Sequence, residues 1–317
     1  MGIPRVSVIV PTDGRLEYLE RAIESVHRQS YDEVELVVVA NCKREPIEAI
    51  VEDYDGFETV HVRRDSGQGP SIARNIGIES SSGEYVAFLD DDDIWHREKL
   101  ETQLSTLTNA GEDARVAYTG VKQLNESGEM NSIEDKTHSN DIYRELLGGN
   151  YVRTFSCILL ERELVSEIGL LDEALPHFED WDLYLRASQK CDFVGTSAAL
   201  VDRFSHDEQL SADFDTRRIK AGNYLISKHR DRLLEEGRFT ARRFESNVYA
   251  AILAAALKTR KFQVARKYAM MTFKTYPLNK RWPLLAVLAL GGNPALKSAQ
   301  MVKRKLIRST NTDSDDR

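Results

Sequence analysis

Residues 84–95, EYVAFLDDDDIW, place four consecutive carboxylates, Asp90 to Asp93, directly behind a short hydrophobic run. A compact apolar run bounded by polar residues is the pattern of a strand covered on both faces, so Glu84–Leu89 is read as a buried strand. The carboxylates then lie just past its C-terminal end. Carboxylates crowded in this way raise one another's pKa unless a cation or hydrogen-bond donors compensate. Hard divalent ions take carboxylate oxygens and keep positions open for substrate phosphates. The ordinary reading of an acidic run is a solvated loop or the start of a helix, and a helix does follow. Placement at a strand end favours a metal and diphosphate site.

The flanking segments alternate strand and helix. VSVIV (Val6–Val10) closes at Pro11, and Leu16, Leu19, Ala22, Ile23 and Val26 predict a helix over about Leu16–Gln29. VELVVVA (Val34–Ala40), a helix around Pro46–Glu52, the strand FETVHV (Phe57–Val62) and a helix from about Pro70 to Ser80 lead to the acidic stretch. A helix near Arg97–Ala110 and a strand near Arg115–Thr119 follow it. This predicts an α/β fold, a mainly parallel sheet flanked by helices, with ligands beyond the carboxyl ends of the strands. Residues 121–153, polar and rich in Gly and Asn, are read as irregular. Phe155–Leu175 reads as a strand and a short helix, and strand-like pieces lie around Phe193 and Leu200–Phe204. From about Asp215 the pattern is helical only, with Thr240–Leu257 and Lys261–Tyr276 as an antiparallel pair.

Composition bounds the rest. A chain of 317 residues with 41% hydrophobic content buries a sizeable core, which excludes intrinsic disorder for the whole. The net charge of −8 hides a split, because residues 1–213 hold 43 acidic against 20 basic side chains, and residues 214–317 hold 8 against 23. The two parts therefore carry −23 and +15. The expected organisation is a domain over 1–213, a basic helical region over 214–309 and a disordered tail over 310–317. Cys42, Cys157 and Cys191 form neither a disulfide framework nor a zinc cluster and suit a reducing compartment. No signal peptide is read at the start, and Trp282–Leu290 is about half of a membrane span. A cytoplasmic protein is expected. Basic residues such as Arg242, Arg243, Lys303 and Arg304 are solvated helix faces, helices docked on the acidic domain, or a patch that adheres to anionic lipid. Nucleic acid is not expected as a partner, since no aromatic and basic stacking platform is evident.

Two further clusters carry chemistry. EDWDLYLR (Glu179–Arg186) sets Glu179 and Asp180 at a helix start, either as a carboxylate base beside an acceptor hydroxyl or as a capped terminus. In GPSIARN (Gly69–Asn75), Arg74 could contact a phosphate or orient an aspartate, or make an ordinary surface ion pair.

In this order, and with VSVIVPT in front, these motifs resemble the inverting family-2 glycosyltransferases. The resemblance runs through VELVVVA, GPSIARNIGIESSSGEYVAFLDDDDIW, SCILLERELVSEIGLLDE, FEDWDLYLR and HDEQLS, about residues 5–211. It implies the GT-A fold, a Rossmann-like mainly parallel sheet, here followed by a smaller helical region outside the signature. It also implies transfer of a sugar from a nucleotide diphosphate donor to an acceptor hydroxyl, with a Mn or Mg ion as cofactor. Pro11, Thr12 and Asp13 would line the nucleotide pocket together with Asn41, Arg74, Asp90 and Asp91. Asp90 and Asp92 take the D-x-D positions, with Asp92 on the metal. Asp180 matches the catalytic base, Glu179 and Trp181 the acceptor side, and His206 a position where some relatives place a third metal ligand or an acceptor-loop histidine.

The sequence departs from the family at two places. Ala40, Asn41, Cys42 and Lys43 replace the usual Asp-Asp-Gly-Ser, so the carboxylate that often contacts the base is missing. Asp13 stands where an aromatic residue or Asn is common, and it either compensates or caps the first helix with Gly14. A non-catalytic subunit of the same fold is the competing reading, and the retained Asp92 and Asp180 weigh against it. A glycan or lipid-linked acceptor, reached from the cytoplasmic face of a membrane, would suit the basic helices.

Overall fold

The computed structural model describes residues 3–40, 47, 50–51, 54, 58–63, 69–125, 127–135, 142–205, 216–280 and 282–312. The chain divides into two compact units, Met1–Leu146 with Asn150–Phe204, and Leu147–Gly149 with Ser205–Arg317. The expected boundary at 213/214 lies outside the described residues.

In the first unit β1 (Val6–Thr12) pairs in parallel with β2 (Val34–Ala40) on one side and β4 (Tyr85–Phe88) on the other, and β2 pairs in parallel with β3 (Glu58–Arg63). VSVIV and VELVVVA are buried throughout, because helices cover both faces of these strands. Within them Glu35 is buried and stays ionised: burial raises its pKa, but hydrogen bonds from Ser7 Oγ (2.5 Å) and Ser82 N (2.8 Å) outweigh that and lower it.

Helix α1 (Leu16–His27) buries Leu19, Ala22, Ile23 and Val26, the stripe its periodicity predicted. Helix α2 (Pro70–Glu79) begins with proline, whose fixed φ and missing N–H suit a first turn. Gly77 lets this helix approach the sheet, since a Cβ there would lie 2.4 Å from Ile9 Cγ2 and 3.3 Å from Val39 Cγ2.

The expected mainly parallel sheet is parallel only through these four strands. β5 (Asp93–Trp95), β6 (Ala114–Asn125), β7 (Met130–Glu134), β8 (Ile158–Glu161) and β9 (Asp192–Ser205) complete the nine described strands in the order β3-β2-β1-β4-β8-β6-β9-β5, with β7 beside β6. The pairs β4–β8, β6–β8, β6–β7 and β5–β9 are antiparallel. Residues 121–153, expected to be irregular, contain the end of β6 and all of β7. The polar composition of this hairpin concealed it. Its turn is held by Asn125 Oδ1, which accepts from Glu129 N at 2.8 Å. The two pieces expected near Phe193 and Leu200 are one strand, β9. Helix α3 (Lys99–Ala110), the short helix α4 (Tyr143–Leu146), a 3-10 turn at Phe155–Cys157, α5 (Arg162–Ile168) and α6 (Glu179–Ala187) complete this unit.

The second unit is helical, as expected: α7 (Thr216–Glu236), α8 (Arg238–Lys258), α9 (Phe262–Thr275) and α10 (Trp282–Thr312), the last broken at Gly292. Residues 313–317 of the expected disordered tail lie outside the described residues, and 310–312 continue α10. Buried Ala265, Ala269 and Ala256 allow α8 and α9 to pack closely. Among the described residues no helix is long and apolar enough to cross a membrane.

The contact at Gly77 gives the first prediction. Gly77→Val should destabilise the protein by about 2 kcal/mol through overpacking against Ile9 and Val39, read as a lower urea midpoint at an unchanged slope.

Candidate active site

The acidic run is a turn at the carboxyl edge of the parallel strands. Leu89 N still bonds Ile9 O (3.0 Å), and Asp93 N then closes on Asp90 O (3.0 Å), reversing the chain into β5. The turn sends its four carboxylates to different partners. Asp91 faces β1, where Thr12 Oγ1 donates to its Oδ2 (2.6 Å) and Arg15 pairs with it. Arg15 also reaches Asp92 Oδ2 (3.2 Å). Asp90 accepts from Arg74 Nη2 (2.6 Å) and Thr154 Oγ1 (3.2 Å). Asp93, 1% exposed, accepts from Ser156 Oγ (2.6 Å), and its Oδ1 has no hydrogen-bond partner.

Burial and neighbouring charge shift these groups. Burial pushes Asp91 up to about 6, only partly offset by Arg15 and Thr12. Asp93 is pushed well above the carboxylate range by burial and by Asp90, with Arg203 opposing. Arg203 reaches this site because β5 and β9 pair antiparallel with Asp93 opposite Arg203.

Arg74 joins the turn to a second carboxylate pair. Its buried guanidinium lies 3.5 Å from Glu179 Oε1 and sits over the Phe155 ring at 4.2 Å. Phe178, at φ 67°, forms the left-handed corner before α6 and delivers Glu179 and Asp180 to the helix start. Asp180 is held at both oxygens, by Asn150 Nδ2 (2.6 Å) and Trp181 N (2.7 Å). Burial raises the Asp180 pKa against these donors and against Arg74 and Arg203. Burial, with Asp180 adding to it, brings Glu179 to about 7. Tyr184, buried beneath the pair, leaves its hydroxyl without a hydrogen-bond partner.

Several expected residues therefore converge: Thr12, Arg74, Asp90, Asp91, Asp92, Glu179 and Asp180. The Thr12 hydroxyl is engaged with Asp91, so it supports the turn from below. Pro11 and Asp13 lie at the same strand end, Asp13 exposed. Trp181, expected on the acceptor side, is buried with its Nε1 donating to Leu146 O (2.7 Å), and it anchors α6. Asn41 and His206 lie outside the described residues. Sequence reading missed Arg15, Asn150, Thr154, Ser156 and Arg203, all brought in by folding. Of these, Ser156 opens the quoted segment SCILLERELVSEIGLLDE and Arg203 lies in the strand-like piece Leu200–Phe204, but neither carried a signal of its own.

The residues fit a hard cation. Asp90, Asp92 and Asp93 each offer one carboxylate oxygen, and the three atoms lie within 4.8 Å of one another. The unpartnered Oδ1 of Asp93 marks a lone pair that the protein itself leaves unsatisfied. Six carboxylates share Arg15, Arg74 and Arg203, so positive charge falls short of negative charge, which suits a divalent ion.

The sequence model for Glycosyl transferase family 2 matches residues 7–169. An uncharacterized glycosyltransferase of Haemophilus influenzae is 25% identical over 301 residues, 94% of this chain and 100% of that one. Two longer Rickettsia glycosyltransferases are matched over 21% and 39% of their own length. Among solved structures, S. aureus TarS 1-349 in complex with UDP-GlcNAc superposes with TM-score 0.63 at 18% identity, covering 96% of this chain and 92% of that one. The mannosyltransferase PcManGT of Pyrobaculum calidifontis, in complex with GDP-Man and Mn2+, superposes with TM-score 0.56 at 17% identity, covering 96% and 86%. These structures establish the GT-A architecture.

The Glu179 environment predicts a pH dependence. A carboxyl whose folded pKa stands above its unfolded value keeps its proton in the native state where the unfolded chain has lost it. Native stability then falls as pH rises through that window, here from about 4.5 to about 7. Between pH 5 and pH 8, Glu179→Gln should lose less stability than wild type, by on the order of 2 kcal/mol in denaturant titrations. An identical pH dependence in both proteins would show Glu179 to be an ordinary carboxylate.

Proposed function

The chain belongs to glycosyl transferase family 2, and from that membership we propose that it moves one sugar from a nucleoside diphosphate donor to an acceptor hydroxyl with inversion, assisted by a divalent cation. The observation that carries this reading is the buried Arg74, which spans Asp90 of the acidic turn and Glu179 beside Asp180. One guanidinium thus holds the donor-side and acceptor-side carboxylates in a common register.

Asp180 acts as the general base. It accepts the acceptor proton as that oxygen bonds to the anomeric carbon, while the bond from that carbon to the diphosphate oxygen breaks. Its raised pKa makes it a stronger base than an exposed aspartate, and the Asn150 and Trp181 donors aim its oxygens. Burial and the neighbouring Asp180 bring Glu179 to about 7, so it is partly protonated at neutral pH and the repulsion within the pair is reduced. Asp90, Asp92 and Asp93 would hold the cation, Mn or Mg, which when bound neutralises charge on the diphosphate. Arg15 and Arg203 hold Asp91, Asp92 and Asp93 in place around that position.

The donor class in this reading comes from the family membership, and the structures of TarS with UDP-GlcNAc and PcManGT with GDP-Man and Mn2+ support it. The acceptor in this reading is a glycan hydroxyl on a lipid carrier, with the +15 of residues 214–317 holding the enzyme to an anionic membrane face.

Asp180→Asn should lower kcat by about 10²–10⁴-fold with little change in donor KM, because proton removal is lost while binding is kept. Undiminished turnover would remove Asp180 from the base role. Mn2+ together with a nucleoside diphosphate should raise the melting temperature of wild type but not of Asp92→Asn, since only a ligand that binds the native state stabilises it. Full activity after exhaustive chelation would end the metal reading.

A further inference from the structure

One end of the helical unit has an unusual surface. Gly237, at φ 131°, makes the sharp turn from α7 to α8, and Phe239, just beyond it, is 79% exposed. The connection from α9 to α10 falls at the same end, because Arg242 Nη2 donates to Lys274 O (3.5 Å) and Asn279 Nδ2 to Ser246 Oγ (2.9 Å). That connection carries Leu278, 74% exposed, and α10 then presents Leu284, 65% exposed. Phe273, near the end of α9, and Trp282, at the start of α10, pack together with ring centroids 4.7 Å apart. Helix α10 inverts the usual pattern, burying Ala286 and Ala289 and turning Leu284, Val287 and Leu290 outward.

Basic groups accompany these apolar ones. Arg230, Arg238 and Arg242 line a cavity of about 410 Å³ with Leu233 and Phe244, between α7 and α8. Lys274, in the last turn of α9, and Lys280, on the connection after it, are exposed. Acidic groups here are outnumbered by basic ones: Glu245, also on the cavity, accepts from Tyr249 OH (2.8 Å), Glu236 lies 3.9 Å from Arg232, and Asp231 and Glu235 are exposed on α7.

We propose that this end of the helical unit docks on an anionic phospholipid bilayer, with Phe239 and Leu278 entering the boundary between headgroups and acyl chains. Arg230, Arg238, Arg242, Lys274 and Lys280 then face the lipid phosphates. The proposal rests on the reading of a membrane-borne acceptor and names the surface that reading requires. Apolar tips within a basic surround match a bilayer in both respects, since the tips are removed from water while the cations meet negative charge. A second copy matches less well. A two-fold interface opposes a patch with itself, and here that would set arginines against arginines.

The test is co-sedimentation of the full chain with phosphatidylcholine vesicles, with and without phosphatidylglycerol, at low and high salt. Wild type should bind the phosphatidylglycerol vesicles and release at high salt. Phe239→Glu with Leu278→Glu should weaken binding about tenfold or more while circular dichroism and donor hydrolysis stay unchanged. Arg238→Gln with Arg242→Gln should weaken it further from the charge side, about fivefold per residue, and flatten the salt dependence. If the Phe239 and Leu278 variant binds as wild type does, this surface is the wrong one although the membrane reading stands. If wild type itself fails to bind, the membrane reading and this proposal fall together. If the variant instead converts a dimer to a monomer by sedimentation velocity with vesicle binding unchanged, the surface is a self-association interface and the proposal is overturned.

Discussion

Arg74 is surrounded by charge that would otherwise force the site apart. It is 5% exposed, hydrogen-bonded to Asp90, within ion-pair distance of Glu179 and stacked over Phe155. Burying a cation away from water is costly, and burying carboxylates is costly in the same way. Each is tolerated here because the other is present, and because an aromatic face takes part of the desolvated charge. Arg74 comes from α2, Asp90 from the turn after β4, and Glu179 from the start of α6. The position of three elements thus depends on one guanidinium.

The same constraint accounts for the change in sheet direction. Parallel strands β3, β2, β1 and β4 set up a carboxyl edge where the acidic turn can sit. A further parallel strand would carry the chain away from that edge through a helix. Instead, Asp93 begins β5, which runs antiparallel to β9 and brings Arg203 opposite it. The parallel half creates the ledge, and the antiparallel half supplies cations and donors that let acids gather there. Ser156 shows the same economy. Its hydroxyl donates to Asp93 while accepting from Asp90 N, so one side chain supports both ends of the turn.

Some of this was legible along the chain. The buried strands announced themselves, because a strand covered on both faces must be apolar throughout, as in VSVIV and VELVVVA. Helix α1 was legible from its stripe, and the acidic turn from four adjacent carboxylates at a strand end. The hairpin of β6 and β7 was not, because its later residues are polar and an exposed hairpin gives a weak alternating signal. The resemblance put Trp181 on the acceptor side, yet its indole is buried and bonded to Leu146. Neighbours on a helix point in different directions, and only packing shows which one faces the site.

Sequence alone determined which groups could do chemistry. Asp90, Asp92 and Asp180 each lie in a local pattern that sets their chemical type and their place at the end of an element, and Arg74 lies in one that sets it within a helix. It also determined the charge contrast between residues 1–213 and 214–317, since charge is a property of composition. Tertiary structure decided which of those groups meet. Asp93 pairs with Arg203 across 110 positions, and Asp180 with Asn150 across 30, through strand register and loop closure. It also decided protonation. An adjacent pair such as Glu179 and Asp180 would ionise as ordinary carboxylates in water, and only burial beside each other brings Glu179 to about 7. Local pattern is encoded by neighbours in the chain. Burial and long-range pairing are encoded by the fold, which is why the acidic turn could be read from the sequence and its electrostatic balance could not.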